Sequence, residues 1–502
     1  VHKTELKSRK KNWLTIAGLF IVFFLLFSGF FALEGRASFD LERKREFSPQ
    51  KTCPDFIEEM LGTLLYDYQK KQEEVTGDIK SEAEAPLFPF ILESRALEDV
   101  DLLFRVLKYG YAGYEIYGGD QAFNQARQQI KGEIESSSSM PFISTTTLGK
   151  ILRAGLSFIQ DGHFQVEGQS LANHQLMHIN EEYVFSRDQG KFFLEKEESF
   201  REVLAVNDQD PAYFIKPSLD EEGQLIYRLV DLYGKEGPLT LELKLKTGKE
   251  QVEEKEIELR PVNRVRQEGD DVQLEKVDDI PVLRSRTLQL TLEDDGYDPL
   301  MLQAQKFQEE PVAILDLRSN HGGFMELGRT WISLYTGANP SMNLITCVLR
   351  TKTARKLEIP GLEDREHFQE YWDMVQEHFP SPVGGWAVLP RKEFRPLPSE
   401  NYLVVLVDNF TASAAEHFMR MLLQVENVII IGTNTAGINT TGGVARLALP
   451  NSGISISLGT TLYLTGDFKI AEGRGYEPDI WVPGEEALEK SILFINRYLL
   501  PD

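Results

Sequence analysis

Ser413 stands where a buried strand gives way to a helix. The run Tyr402 to Val407 (YLVVLV) is wholly apolar and short, which marks a core strand, and Ala415, Phe418, Met419 and Leu422 then repeat with the spacing of one buried helical face. The link between them, Asp408-Asn409-Phe410-Thr411-Ala412-Ser413-Ala414-Ala415-Glu416, puts Ser413 in the first helical turn. A hydroxyl there faces out above the sheet. The unpaired N–H groups of the turn can steady a developing negative charge, which is what a nucleophile elbow requires. The same position also suits Thr411 or Ser413 as an ordinary helix cap.

Three further segments bear on that choice. Ala313 to Arg318 reads as a second buried strand and runs into Ser319-Asn320-His321-Gly322-Gly323, where paired glycines let backbone N–H groups approach a ligand. Val428 to Ile431 reads as a third and ends in Gly432-Thr433-Asn434-Thr435-Ala436-Gly437. Glu472-Gly473-Arg474-Gly475-Tyr476-Glu477-Pro478-Asp479-Ile480 follows another β stretch. Taken in order, the four segments resemble the C-terminal-processing (tail-specific) serine peptidases.

That resemblance implies a nucleophile at Ser413 and an oxyanion site formed by Gly322 or Gly323 with the N–H of Ala414. It also implies a crotonase-like β/α spiral peptidase core with a small β insert that loosely resembles a PDZ domain; with the N-terminal helical region and the one transmembrane helix read from the sequence pattern, the fold class expected is α/β. The best-known branch of the family uses a Ser-Lys dyad, with the lysine directly after the G-x-x-T-x-G turn. Ile438 occupies that place here and cannot accept a proton.

The tricorn-like branch offers a different base. Leu148, Ile151, Leu152, Leu156 and Ile159 form one apolar helical face, with Thr145 to Thr147 available as its N-cap. Gln160-Asp161-Gly162-His163-Phe164 follows and resembles the segment carrying the tricorn-like catalytic histidine. An imidazole can take the Ser413 proton and return it to a leaving amine. Aligning Gly475 and Pro478-Asp479 places Glu472 at the position of that branch's catalytic glutamate. The serine that precedes the histidine there is replaced by Gly162. Glu472 then reaches His163 directly or through water, or Asp161 serves instead, and a Glu472-paired imidazole would titrate higher than usual.

Other candidates are weaker. His321 suits a lining role beside the glycine turn, and His174 and His178 have the spacing of a metal pair but no third ligand, so they read as solvated surface residues. No cofactor is expected. Cys53 and Cys347 are too few for a disulfide framework or a CxxC metal site, and spacing alone does not establish a bridge between them. The net charge of −24 repels phosphate backbones, which argues against nucleic acid and leaves a protein or peptide as the expected partner.

Trp13 to Leu33 carries no charge, and Lys3, Lys7, Arg9, Lys10 and Lys11 precede it. These features lead to the expectation of a single-pass anchor with the catalytic portion extracytoplasmic, rather than a long signal sequence. The organisation expected is a tail (1–12), the anchor (13–33), a charged stalk (34–50), a helical region (51–135), a first part of the core (140–189), a β insert (190–262) and the main core (270–502). Within the helical region Tyr109, Tyr111, Tyr114 and Tyr117 read as a helix-packing seam. The function expected is a serine endopeptidase with a Ser-His-Glu-type site. The alternative is a non-catalytic ligand- or peptide-binding protein built on the same fold.

Overall fold

The computed structural model describes residues 54–68, 89–137, 141–196, 199–246, 251–358 and, apart from 380, 382, 393, 469 and 471, residues 377–500. Its centre is a six-stranded sheet in the order Val272–Val277, Ile280–Ser285, Val312–Asp316, Tyr402–Val407, Val428–Gly432 and Ile480–Trp481. The first pair is antiparallel and every later pair is parallel. Parallel strands must be covered on both faces, and the unbroken apolar runs of the sequence supply that. Ala313, Leu315, Leu403, Val405 and Ile430 pack beneath the helices Tyr297–Lys306, Met325–Thr336 and Ala414–Leu422. On the other face Ile314, Val404, Leu406 and Ile429 meet Ile492, Phe494 and Ile495 of the helix Ala487–Tyr498.

A second, antiparallel sheet flanks this core. Its long strand Ser455–Leu464 pairs with Thr441–Ala448 along one edge and with Ile345–Leu349 and Gln165–Val166 along the other. The helices Glu93–Gly110, Gly119–Ser137 and Thr145–Gly155 pack on it through Leu103, Leu107, Ile130, Leu148 and Leu152, against Leu447, Ile456 and Leu458. Gln165–Val166 is the short strand just after His163, so His163 hangs from this layer and Ser413 from the parallel sheet.

The fold expected from sequence is corrected in two respects. Strands Leu176–Ile179, Val252–Pro261, Leu239–Lys246, Ser199–Val206, Lys191–Lys196, Val184–Asp188 and Leu225–Tyr233 pair in that order, and the last returns to the first. Together they close an antiparallel seven-stranded barrel. Its interior is filled by Phe185, Leu194, Leu229, Leu241, Leu243 and Leu245. The alternation of Leu239, Leu241, Leu243 and Leu245 thus lines a barrel, and the architecture is a set of mixed sheets plus this barrel, in place of a spiral with a small PDZ-like insert. In addition, among the described residues no helix is long and apolar enough to cross a membrane. The stretch Trp13 to Leu33 and Cys53 lie outside the described residues.

Candidate active site

Ser413 is the residue before the helix Ala414–Leu422 and has φ 56° and ψ −121°. A serine pays a steric penalty in that region, and such strain survives only where neighbours fix it. Glu416 is the principal neighbour. Its buried carboxylate accepts the N–H of Ser413 (3.1 Å), the N–H groups of Gly437 (3.0 Å) and Ile438 (2.7 Å), the Thr435 hydroxyl (2.6 Å) and the Asn439 amide (3.2 Å). Burial raises its pKa, and these donors oppose the rise. The carbonyl of Ser413 accepts the N–H groups of Glu416 (2.9 Å) and His417 (3.2 Å), so the main chain satisfies the first turn and the side chain of Ser413 faces elsewhere.

It faces His163. Ser413 Oγ lies 2.9 Å from His163 Nε2, although the two residues are 250 positions apart. For Nε2 to accept the hydroxyl proton, the neutral ring must carry its own proton on Nδ1, which is buried and meets no partner at full hydrogen-bond geometry among the described residues, the main chain at Thr441 lying nearby. Burial lowers the His163 pKa below the ordinary imidazole value, against the Asp161 charge and the main chain at Thr441, which raise it.

Two carboxylates fix the segment that carries His163. Asp161 is fully buried and accepts the N–H of His163 (2.9 Å), the Thr441 hydroxyl (2.8 Å) and the Tyr111 phenol (2.7 Å). Glu472 accepts the N–H groups of Gly162 (2.8 Å), Thr440 (2.9 Å) and Asn439 (3.3 Å). Burial, helped by the nearby Asp161 charge, pushes Glu472 up to about 8. Glu472 is therefore brought to the site, but its hydrogen bonds go to the backbone on either side of the base and not to the imidazole.

The glycine turn meets the serine from the opposite side. Gly322 has φ 90°, and a methyl group on it would lie 2.9 Å from both Ala414 N and Ser413 Cβ. Its N–H is already donated to Asn320 Oδ1 (2.9 Å). The N–H groups of Gly323 and Ala414 donate to no group among the described residues. The turn is stitched to the nucleophile loop where Ala412 N–H donates to the Asn320 carbonyl (2.9 Å) and Ser319 N–H to Asp408 (2.8 Å).

The remaining histidines are placed differently from expectation. His178 is buried, with its ring nitrogens 2.9 and 3.0 Å from the carbonyls of Leu176 and Gly237, and His174 Nδ1 lies 2.8 Å from the Ala436 carbonyl. His178 is therefore no solvated surface residue and His174 is half-buried, and no cluster of possible metal ligands occurs among the described residues. His321 is exposed, with Nε2 3.4 Å from the Thr287 hydroxyl. Cys347 is a buried thiol pushed up to about 12 by burial. Sequence reasoning missed Glu416, Tyr111 and His417. His417, one turn along from Ser413, is buried against Tyr463 and held near pKa 3 chiefly by burial.

Comparison with known proteins adds an assignment. Residues 297–482 match the profile of peptidase family S41, a span that includes Ser413, Glu472 and the glycine turn but not His163. No curated protein matches. Among solved structures, mature CPAF complexed with lactacystin is similar at 16% identity, covering 81% of this chain and 98% of its own, with a TM-score of 0.43. A putative peptidase from Parabacteroides merdae has 13% identity, coverage of 80% and 96%, and a TM-score of 0.40. The photosystem II D1 C-terminal processing protease has 13% identity, coverage of 80% and 97%, and a TM-score of 0.34. The resemblance carried by the four motifs is thus borne out by the family match over residues 297–482, and the chain is a serine-type peptidase.

Proposed function

We propose that the chain cleaves peptide bonds within protein or peptide substrates, through Ser413 as nucleophile and His163 as general base. The observation that carries this reading is the 2.9 Å contact between Ser413 Oγ and His163 Nε2. In the first step Oγ attacks the scissile carbonyl carbon as its proton passes to Nε2. The carbonyl π pair moves to oxygen, where the N–H groups of Gly323 and Ala414 receive it, and Gly322 leaves room by lacking a side chain. Collapse expels the amine, which takes the proton from the imidazolium, and water repeats the sequence on the acyl-enzyme. Asp161 and Glu472 act by holding the backbone of Gly162 and His163, and the Asp161 charge steadies the imidazolium. Ile438, in the place of the family lysine, takes no part in proton transfer.

Labelling of the purified protein with a fluorophosphonate, followed by a peptide-cleavage assay, tests the reading. Ser413→Ala should abolish both while the circular dichroism spectrum is retained, since losing one hydroxyl at a helix start costs about 1 kcal/mol. Persistence of cleavage in that variant would refute the assignment.

A further inference from the structure

Tyr109 closes the helix Glu93–Gly110, Tyr111, Tyr114 and Tyr117 lie between it and the helix Gly119–Ser137, and one of these four leaves the packing seam. Tyr111 is fully buried, with its ring beside Phe164 (5.7 Å) and stacked on Tyr117 (6.2 Å, 11° between planes). Its hydroxyl donates to Asp161 Oδ2 at 2.7 Å, and the other oxygen of that carboxylate accepts the N–H of His163. Gly113 makes room for it, since a methyl group there would stand 2.5 Å from the phenol oxygen. Burial and the Asp161 charge raise the Tyr111 pKa, so the phenol remains a donor at neutral pH.

We infer that Tyr111 is a positioning residue for the base: through Asp161 it sets both the place of His163 and the charge the imidazole senses. The inference rests on the reading of Ser413 and His163 given above. Asp161 has a fixed set of donors, namely the Tyr111 phenol, the Thr441 hydroxyl and the His163 N–H. Removing the phenol leaves the carboxylate in place with its charge less neutralised, which favours the imidazolium. Removing the charge disfavours it. The other titratable groups around the base and Asp161 are Glu472, beneath Gly162, Tyr117, whose phenol donates to the Gln160 carbonyl, Glu416 behind Ser413, and His417 on the nucleophile helix, with Arg420 beyond it. Tyr111→Phe leaves those groups in place, whereas Asp161→Asn also removes the charge that helps raise Glu472, so Glu472 ionises at lower pH in that variant.

The experiment is the pH dependence of kcat and KM for peptide cleavage in the full chain, with thermal midpoints measured alongside. In Tyr111→Phe, kcat should fall roughly tenfold with KM little changed, the kinetic equivalent of one net hydrogen bond. The acidic limb of kcat/KM should move to higher pH. In Asp161→Asn the limb should move to lower pH. A packing role alone produces no such opposed pair of shifts. An unmoved limb in Tyr111→Phe overturns the inference, whatever happens to its thermal midpoint or kcat, and that variant decides the matter even where Asp161→Asn fails to fold. His163→Ala serves as the control: near-wild-type turnover in it refutes the underlying reading, whereas an inactive His163→Ala with an unmoved Tyr111→Phe limb refutes only the role of Tyr111.

Discussion

His163 is subject to two opposed influences, and on the proposed reading their balance decides the pH at which it acts as base. Burial disfavours its charged form, while the Asp161 carboxylate favours it, and burial is the larger. The upward shift expected for a Glu472-paired imidazole does not follow here, because Glu472 directs its hydrogen bonds to backbone N–H groups. A general base must be neutral to act. With its pKa lowered, it stays neutral to more acidic pH, so kcat/KM should rise through a midpoint below the ordinary imidazole value of 6.5. A pH–rate profile of the wild-type protein checks this, and a midpoint above that value would mean that a partner for the ring outweighs burial. His163→Ala should lower turnover by about a thousandfold or more, as loss of a general base does.

At the scale of elements, the two departures from the family pattern meet in space. A methyl group on Gly162 would stand 2.5 Å from Ile438 Cγ1 and 2.8 Å from its Cγ2, so the isoleucine in the lysine position fills the space a side chain on Gly162 would need. Overpacking of that kind costs about 1 to 3 kcal/mol. Gly162→Ser alone should therefore lower both the thermal midpoint and kcat/KM, and adding Ile438→Ala should restore part of each. A double-mutant cycle measures the coupling, and additive effects would show that the two positions do not communicate. The parallel strands, the nucleophile helix and the glycine turn were legible in the sequence because unbroken apolar runs and helical spacing are local signals. The family pattern also brought Ser413 and His163 together. Glu416 was detectable too, since Ser413-x-x-Glu416 has the spacing of a capping box. Tyr111 gave no such signal: its partner Asp161 lies 50 residues away, and a tyrosine in an aromatic seam looks the same whether or not its hydroxyl has a task. The barrel was hidden for a related reason, as alternation specifies a strand but not whether the last strand returns to the first.

The whole molecule carries a concentration of buried acids whose effect on stability has a definite sign. Burial raises Glu416 and Asp408, and Glu472 to about 8. A carboxylate with a raised pKa binds a proton more readily folded than unfolded, so its stabilising contribution is complete at low pH and is lost as pH climbs through the folded value. His163 and His417 are lowered from 6.5 and act oppositely only below that pH, and Asp316 and Glu477, lowered by their arginine and lysine partners, are already ionised in both states. The thermal midpoint should accordingly fall between pH 6.5 and pH 8.5, and Glu472→Gln should flatten the slope; calorimetry showing a rise would contradict the burial of these groups. Chain order adds a consequence for the making of the protein. A ribosome releases the segment with His163 first, the glycine turn next, then Ser413, and the loop of Glu472 last of the four, and parallel strands so distant in sequence close late in folding. On the proposed reading, a chain made only as far as the glycine turn holds His163 without Ser413, and one made as far as Ser413 still lacks the Glu472 contacts, so no cutting edge exists before the Glu472 loop has been made.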